Sequence, residues 1–142
     1  NPGYVDWQAA YVMLAHAQLV HSGAEALPVL HELYPGLVAF VRYLQRLLEP
    51  KTGLLLEGAR GDWVPPAAML VQTPAHVVSA FVYLLSLEMM GDIAGALGET
   101  ADQREFSDEL ARGRAAFHEH FHSSTPASCC YSTGTQAANV LA

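Results

Sequence analysis

Gly58-Ala59-Arg60-Gly61-Asp62-Trp63-Val64-Pro65-Pro66 interrupts a chain that otherwise reads as one helix after another. Gly61 relaxes the backbone and the proline pair restricts it, so no regular helix runs through this stretch. A carboxylate, Asp62, and a flat aromatic, Trp63, therefore sit on a loop ahead of the next helix. Thr73 and Pro74 predict where that helix starts, as N-cap and first helical residue. An acid beside an indole suits a polar ligand with one apolar face, such as a sugar. The same residues also suit a turn in which Trp63 plugs the end of a core, since turns rich in Gly, Asp and Pro are common.

Working outward, the loop spans residues 50 to 72, punctuated by Pro50, Gly53, Gly58, Gly61, Pro65 and Pro66, with Leu54-Leu55-Leu56 as a short strand-like piece. Loops of that length in a compact domain are usually functional or disordered, and the leucines and Trp63 favour order. The helix that follows, Val77 to Met90 and on to Gly98, is apolar nearly all round, which predicts a buried helix. Residues 7 to 22 read the same way and stop at Gly23. Between these, Leu27, Leu30, Tyr34, Leu37, Val38, Val41, Leu44 and Leu48 recur at three- and four-residue intervals, an amphipathic helix that Pro35 is expected to divide.

After Gly98, Thr100 to Gln103 carries a capping-box pattern. Phe106, Leu110, Phe117 and Phe121 then mark one face of a second amphipathic helix. His118, His120 and His122 read as its polar, frayed end, with a loop from Ser123 to Ser132. Thr133-Gly134-Thr135-Gln136 leads into a last apolar helix from Ala137. Buried and amphipathic helices thus alternate, as inner and outer layers do in helical solenoids and α/α toroids.

Composition narrows the function classes. The chain has 142 residues, 51% of them apolar and only 15% charged, with a net charge of −7. The acidic balance argues against nucleic acid or an anionic membrane as the partner, since both need a basic patch. No apolar run reaches the roughly 18 residues of a membrane span. Cys129 and Cys130 are adjacent and read as two ordinary thiols. His16 and His21 are five apart, off a common helix face, so no metal or other cofactor is expected.

The loops ahead of the inner helices are the unusual ones: Tyr4-Val5-Asp6-Trp7, Gly61-Asp62-Trp63 and Tyr131-Ser132-Thr133-Gly134-Thr135-Gln136. Their place in the alternation puts all three at one end of the inner layer. Each carries an aromatic and a polar group, so a binding pocket is expected at that rim, helped by the positive potential of helix N-termini.

Asp6-Trp7-Gln8-Ala9-Ala10-Tyr11, Tyr34-Pro35-Gly36, Gly61-Asp62-Trp63 and Gly134-Thr135-Gln136-Ala137, in this order and spacing, resemble bacterial-type α-L-rhamnosidases over nearly the whole chain. The resemblance implies an all-α fold, part of an (α/α)6 barrel. It also implies removal of terminal α-L-rhamnose from glycosides with inversion. It places Trp7 and Trp63 in the walls of the rhamnose subsite; Asp62 and Gln136 are read as further substrate-binding residues, Asp62 as acceptor from a sugar hydroxyl or, alternatively, as a residue that fixes its loop. It puts the general acid before residue 1 and the general base after Ala142, so none of Asp6, Glu57 or Asp62 is given either role. With Asn1 rather than Met at the start and a helix only begun at the end, the chain is expected to be a partial domain, truncated at both ends. The alternatives are a fragment of another (α/α)6 glycosidase, or a non-catalytic helical repeat that binds a protein or a carbohydrate.

Overall fold

The computed structural model describes residues 3–61, 72–125 and 128–142, with side chains at all of these except 124, 125, 128 and 129. The fold is all-α. A short helix α1 (Val5–Gln8) turns at Ala9 into α2 (Ala10–Ser22), and a 3₁₀ turn over Gly23–Ala26 leads to α3 (Leu27–Gln45). The long connection then delivers α4 (Ala75–Leu97) and α5 (Thr100–Phe121). A hairpin of β1 (His122–Thr125) and β2 (Ser128–Tyr131) precedes α6 (Gln136–Val140).

Contacts along the helices give their directions. Val5 N donates to Gly58 O, Ala59 N to Ser79 Oγ, and His16 Nε2 lies 2.9 Å from Asp92 Oδ2, so α2 and α4 run parallel side by side. Tyr34 pairs with Asp102, Arg42 with Glu105 and Gln45 with Glu109, so α3 and α5 also run parallel. Gly95 sits against Gln103 and Gly91 against Ser107, which makes α4 and α5 antiparallel. The result is two helical hairpins, α2–α3 and α4–α5, laid with their inner helices adjacent. This is the inner and outer layering that the hydrophobic pattern predicts.

α4 is the axis of the core. Val77, Ala80, Leu87, Met90, Ile93 and Ala94 are fully buried on it, and Tyr83 is 1% exposed. Its two buried serines cost little, because Ser79 Oγ and Ser86 Oγ donate to Ala75 O and Val82 O one turn back. By length and composition α4 could cross a membrane, contrary to the expectation that no such stretch exists, but 67% of that stretch is buried against the rest of the chain. α2 departs from expectation in the other direction. Only Val12 and Ala15 are buried on it, while Leu14 and Val20 are 69% and 65% exposed. Among the described residues, α3 and α4 cover one side of α2 and nothing covers the other.

Several local predictions are corrected. Pro35 does not divide α3, which continues through it. The proline lies on the exposed face, where water can take the carbonyl it orphans. Burial of Leu30, Tyr34, Leu37, Val41 and Leu44 on the other face outweighs a penalty of about 3 kcal/mol. Thr73 and Thr100 are not side-chain caps: Pro74 and Glu99 hold the N-cap positions, and neither helix has a side-chain cap bond. The end of α5 does not fray. His118 and His120 are helical, His118 stacks on His122 with ring centroids 4.5 Å apart, and His118 Nδ1 lies 2.7 Å from Tyr131 OH. The expected loop beyond it pairs instead as a hairpin, His122 opposite Tyr131 and Ser123 opposite Cys130.

A polar seam joins the outer helices to the core. Arg42 donates to both carboxylate oxygens of Glu105, and Glu109 accepts from Gln45 Nε2 at 2.6 Å and from Tyr83 OH. Tyr34 OH donates to Asp102 Oδ2 at 2.8 Å. Burial, first, and then the acceptor carboxylates push the Tyr34 and Tyr83 phenols well above the ordinary phenol value. Their neutral forms are thus favoured by the fold. The associated stability is fully present below pH ~10 and is lost as pH rises past that value. In a spectrophotometric titration these two of the six tyrosines should ionise last, together with unfolding. Six phenols titrating in one step, with no loss of melting temperature, would contradict the seam.

Candidate functional site

The N-terminal ends of α1, α4 and α6 meet at one rim, and each is held there by a specific contact. α1 starts after Tyr4, whose backbone is extended, with φ −96° and ψ 90°. Asp6, in the first turn, accepts from the Trp7 backbone N–H at 3.1 Å. That bond turns the carboxylate onto its own helix. Trp7 is 63% exposed and Tyr4 47%, with ring centroids 6.2 Å apart at 45°.

Residues 58–61 cross from α1 to α4 as a strap. Gly58 O accepts from Val5 N at 2.7 Å, and Ala59 N donates to Ser79 Oγ at 2.9 Å. Arg60 lies over the Tyr4 ring, its guanidinium carbon 4.1 Å from the centroid, and Nη2 donates to the Tyr4 hydroxyl. Gly61 has φ +72°, and a Cβ there would stand 2.5 Å from Thr73 O and 3.0 Å from Ala75 N. Only glycine fits so close to backbone at that φ. The strap therefore seats against the start of α4.

The third segment joins the same place. Thr73, buried at 1% exposure, sits with its Oγ1 2.5 Å from Thr135 Oγ1. Thr135 is the N-cap of α6 and accepts from Ala138 N at 3.1 Å. Thr133 Oγ1 donates to Gln72 O at 3.2 Å. Tyr131 N donates to Asn139 Oδ1 at 2.9 Å, fixing the turn that contains Ser132 at φ 49° and Gly134 at φ 71°.

Of the four residues named from sequence, two lie in the described structure. Trp7 is on α1, and Gln136 is the exposed first residue of α6. Asp62 and Trp63 lie outside the described residues, directly after Gly61. Two neighbours were visible in the sequence but not singled out: Tyr4, an aromatic three before Trp7, and Arg60, one before Gly61. His76 carried no signal at all. It is in the first turn of α4, stacked on Phe121 with centroids 5.6 Å apart. Burial, and then the neighbouring His120, lowers its pKa from the ordinary histidine value.

A concavity lies elsewhere, a mostly apolar groove of about 300 Å³ beside α4 and α5 lined by Phe81, Leu84, Leu110, Phe117, Tyr131 and Val140. Its two charges, Glu88 and Arg114, are paired with each other at 3.0 Å. His118 and Tyr131, which also line it, are bonded to each other. The rim offers indole and phenol rings, an arginine, amides and hydroxyls. These can bind and orient a polyhydroxylated ligand. Among the described residues Asp6 and Glu57 are the only carboxylates in the segments that form the rim, and Asp6 already accepts a backbone bond.

Among curated proteins, none matches this chain. A family described as the bacterial alpha-L-rhamnosidase 6 hairpin glycosidase domain matches residues 2–142.

Proposed function

Since the chain belongs to the bacterial alpha-L-rhamnosidase six-hairpin glycosidase family, a glycoside hydrolase-like domain with carbohydrate as its substrate class, we propose that it forms the sugar-binding rim of an enzyme releasing terminal α-L-rhamnose with inversion. The family match across residues 2–142 carries this reading, and the joining of α1, α4 and the start of α6 at one rim supports it.

In this reading Trp7 and Trp63 are indole walls for the apolar face and methyl group of the deoxy sugar. Asp62 accepts from a ring hydroxyl, and the Gln136 amide reaches another. Inversion requires an acid to protonate the leaving oxygen and a base to activate water on the opposite face. The two carboxyl groups stand roughly 6.5–9.5 Å apart to admit that water. The rim residues of this chain orient the sugar between those groups and do not supply them.

The test pairs stability with binding. Trp7 is mostly exposed, so Trp7→Ala should change stability by no more than about 0.5 kcal/mol. It should weaken methyl α-L-rhamnoside binding by about 1 kcal/mol, roughly fivefold, the scale of a lost aromatic contact. Trp63→Ala and Asp62→Asn should do the same without unfolding the chain. A glucoside bound as tightly as the rhamnoside would remove rhamnose from the proposal. In an enzyme that carries this domain with its acid and base, the first product seen by proton NMR should be β-L-rhamnose. Appearance of the α-anomer first would overturn inversion.

A further inference from the structure

Resting on the rhamnoside reading above, we propose that Tyr4 is an additional wall of the sugar subsite and that Arg60 is the residue that positions it. Tyr4 contributes little to the core: it is 47% exposed, and its side chain does not cap α1. Its ring stands instead against Trp7, at 6.2 Å and 45°, so the two rings form one bent aromatic surface. Arg60 grips that ring twice, over its face at 4.1 Å and through Nη2 at its hydroxyl.

The grip is firm because the strap that carries Arg60 is itself fixed. Val5 N holds Gly58, Ser79 Oγ holds Ala59, and Thr73 O leaves Gly61 no room for a side chain. An aromatic ring held in place before binding loses less freedom when a ligand arrives. Arg60 covers one face of Tyr4, so the other face and the Trp7 side are what a ligand meets. That surface suits the C–H face of a pyranose, and the phenol oxygen beside it suits a ring hydroxyl. The arginine also precedes Gly61-Asp62-Trp63 directly, so a single backbone segment sets the Tyr4 ring and enters the stretch assigned the second indole.

Isothermal titration of methyl α-L-rhamnoside into the chain, beside thermal melts, tests this. Tyr4→Ala and Arg60→Ala should each weaken binding roughly tenfold with the melting temperature unchanged. Arg60→Lys, which keeps a cation over the ring, should recover part of the loss. Tyr4→Phe, which loses the hydroxyl bond but keeps the ring and the cation over its face, should weaken binding only about two- to threefold. The double variant Tyr4→Ala with Arg60→Ala should bind no worse than Tyr4→Ala alone, because Arg60 acts through the ring. Fully additive losses, or an Arg60→Ala variant that binds like wild type while Trp7→Ala does not, would overturn the proposal alone. Absence of any rhamnoside binding by the wild-type chain would overturn it together with the reading on which it rests.

Discussion

Incubated at high concentration with a chromogenic α-L-rhamnoside, the 142-residue chain is expected to release no chromophore above the buffer rate. Glycosidases need an acid and a base acting together, and each is typically worth 10²–10⁴-fold in rate. The resemblance assigns both to motifs outside residues 1–142. Several acids within the described structure are engaged elsewhere. Asp102, Glu105 and Glu109 are tied into the outer seam, Glu88 to Arg114, Asp92 to His16, and Asp6 to the Trp7 backbone. In the proposed subsite, two indoles, a phenol and an arginine would bind ground state and transition state about equally, and such uniform binding does not accelerate the chemical step. An assay that detects a tenfold rise over background would settle the matter, since glycosidases exceed it by many orders of magnitude. Turnover abolished by Asp62→Asn or Glu57→Gln, with the fold intact, would show that the catalytic carboxylates are inside this chain.

Replacing Gly61 with alanine is expected to destabilise the chain by about 2–4 kcal/mol. About 1–2 kcal/mol of this comes from placing a side chain in the left-handed region. The rest comes from a Cβ placed 2.5 Å from Thr73 O, a backbone atom that cannot step aside without moving the start of α4. Gly53 is the control. It has φ +68°, nearly the same, but nothing within 4 Å of its Cβ position. Gly53→Ala should therefore show the backbone penalty alone. Urea midpoints for the two variants measure the difference. Equal losses would mean that the strap does not press against α4, and the geometry of the rim would need revision.

The layering was legible in the sequence because it depends on which positions are apolar, and burial enforces that. α4 is apolar on all sides and α5 on one, and the structure buries them accordingly. The family was legible from four short motifs in order, and the match over residues 2–142 agrees. What could not be read depends on contacts between distant residues. Pro35 looks like a helix breaker until the buried face of α3 is counted against it. Thr73 looks like a cap, yet its hydroxyl pairs with Thr135, a partner 62 positions away. Ser123 to Ser132 looks like a loop because strand pairing is decided across the turn, by His122 opposite Tyr131. The contact of Arg60 with Tyr4 was hidden for the same reason, since Tyr4 is 56 positions upstream.

Only Gly98 and Glu99 stand between α4 and α5. Gly98, at φ +80°, lets the chain reverse, and Glu99 N closes the turn on Ala94 O at 2.9 Å. Contacts across this hairpin join neighbours in sequence, so the chain entropy lost in closing it is small. The α2–α4 pairing is different, because His16 and Asp92 lie 76 positions apart. Closure entropy grows with the logarithm of the separation, so closing that joint costs more than closing the α4–α5 turn. It is at this joint that Val5 meets Gly58, Ala59 meets Ser79 and His16 meets Asp92. The bonds that shape the rim are thus also those that hold one hairpin to the next.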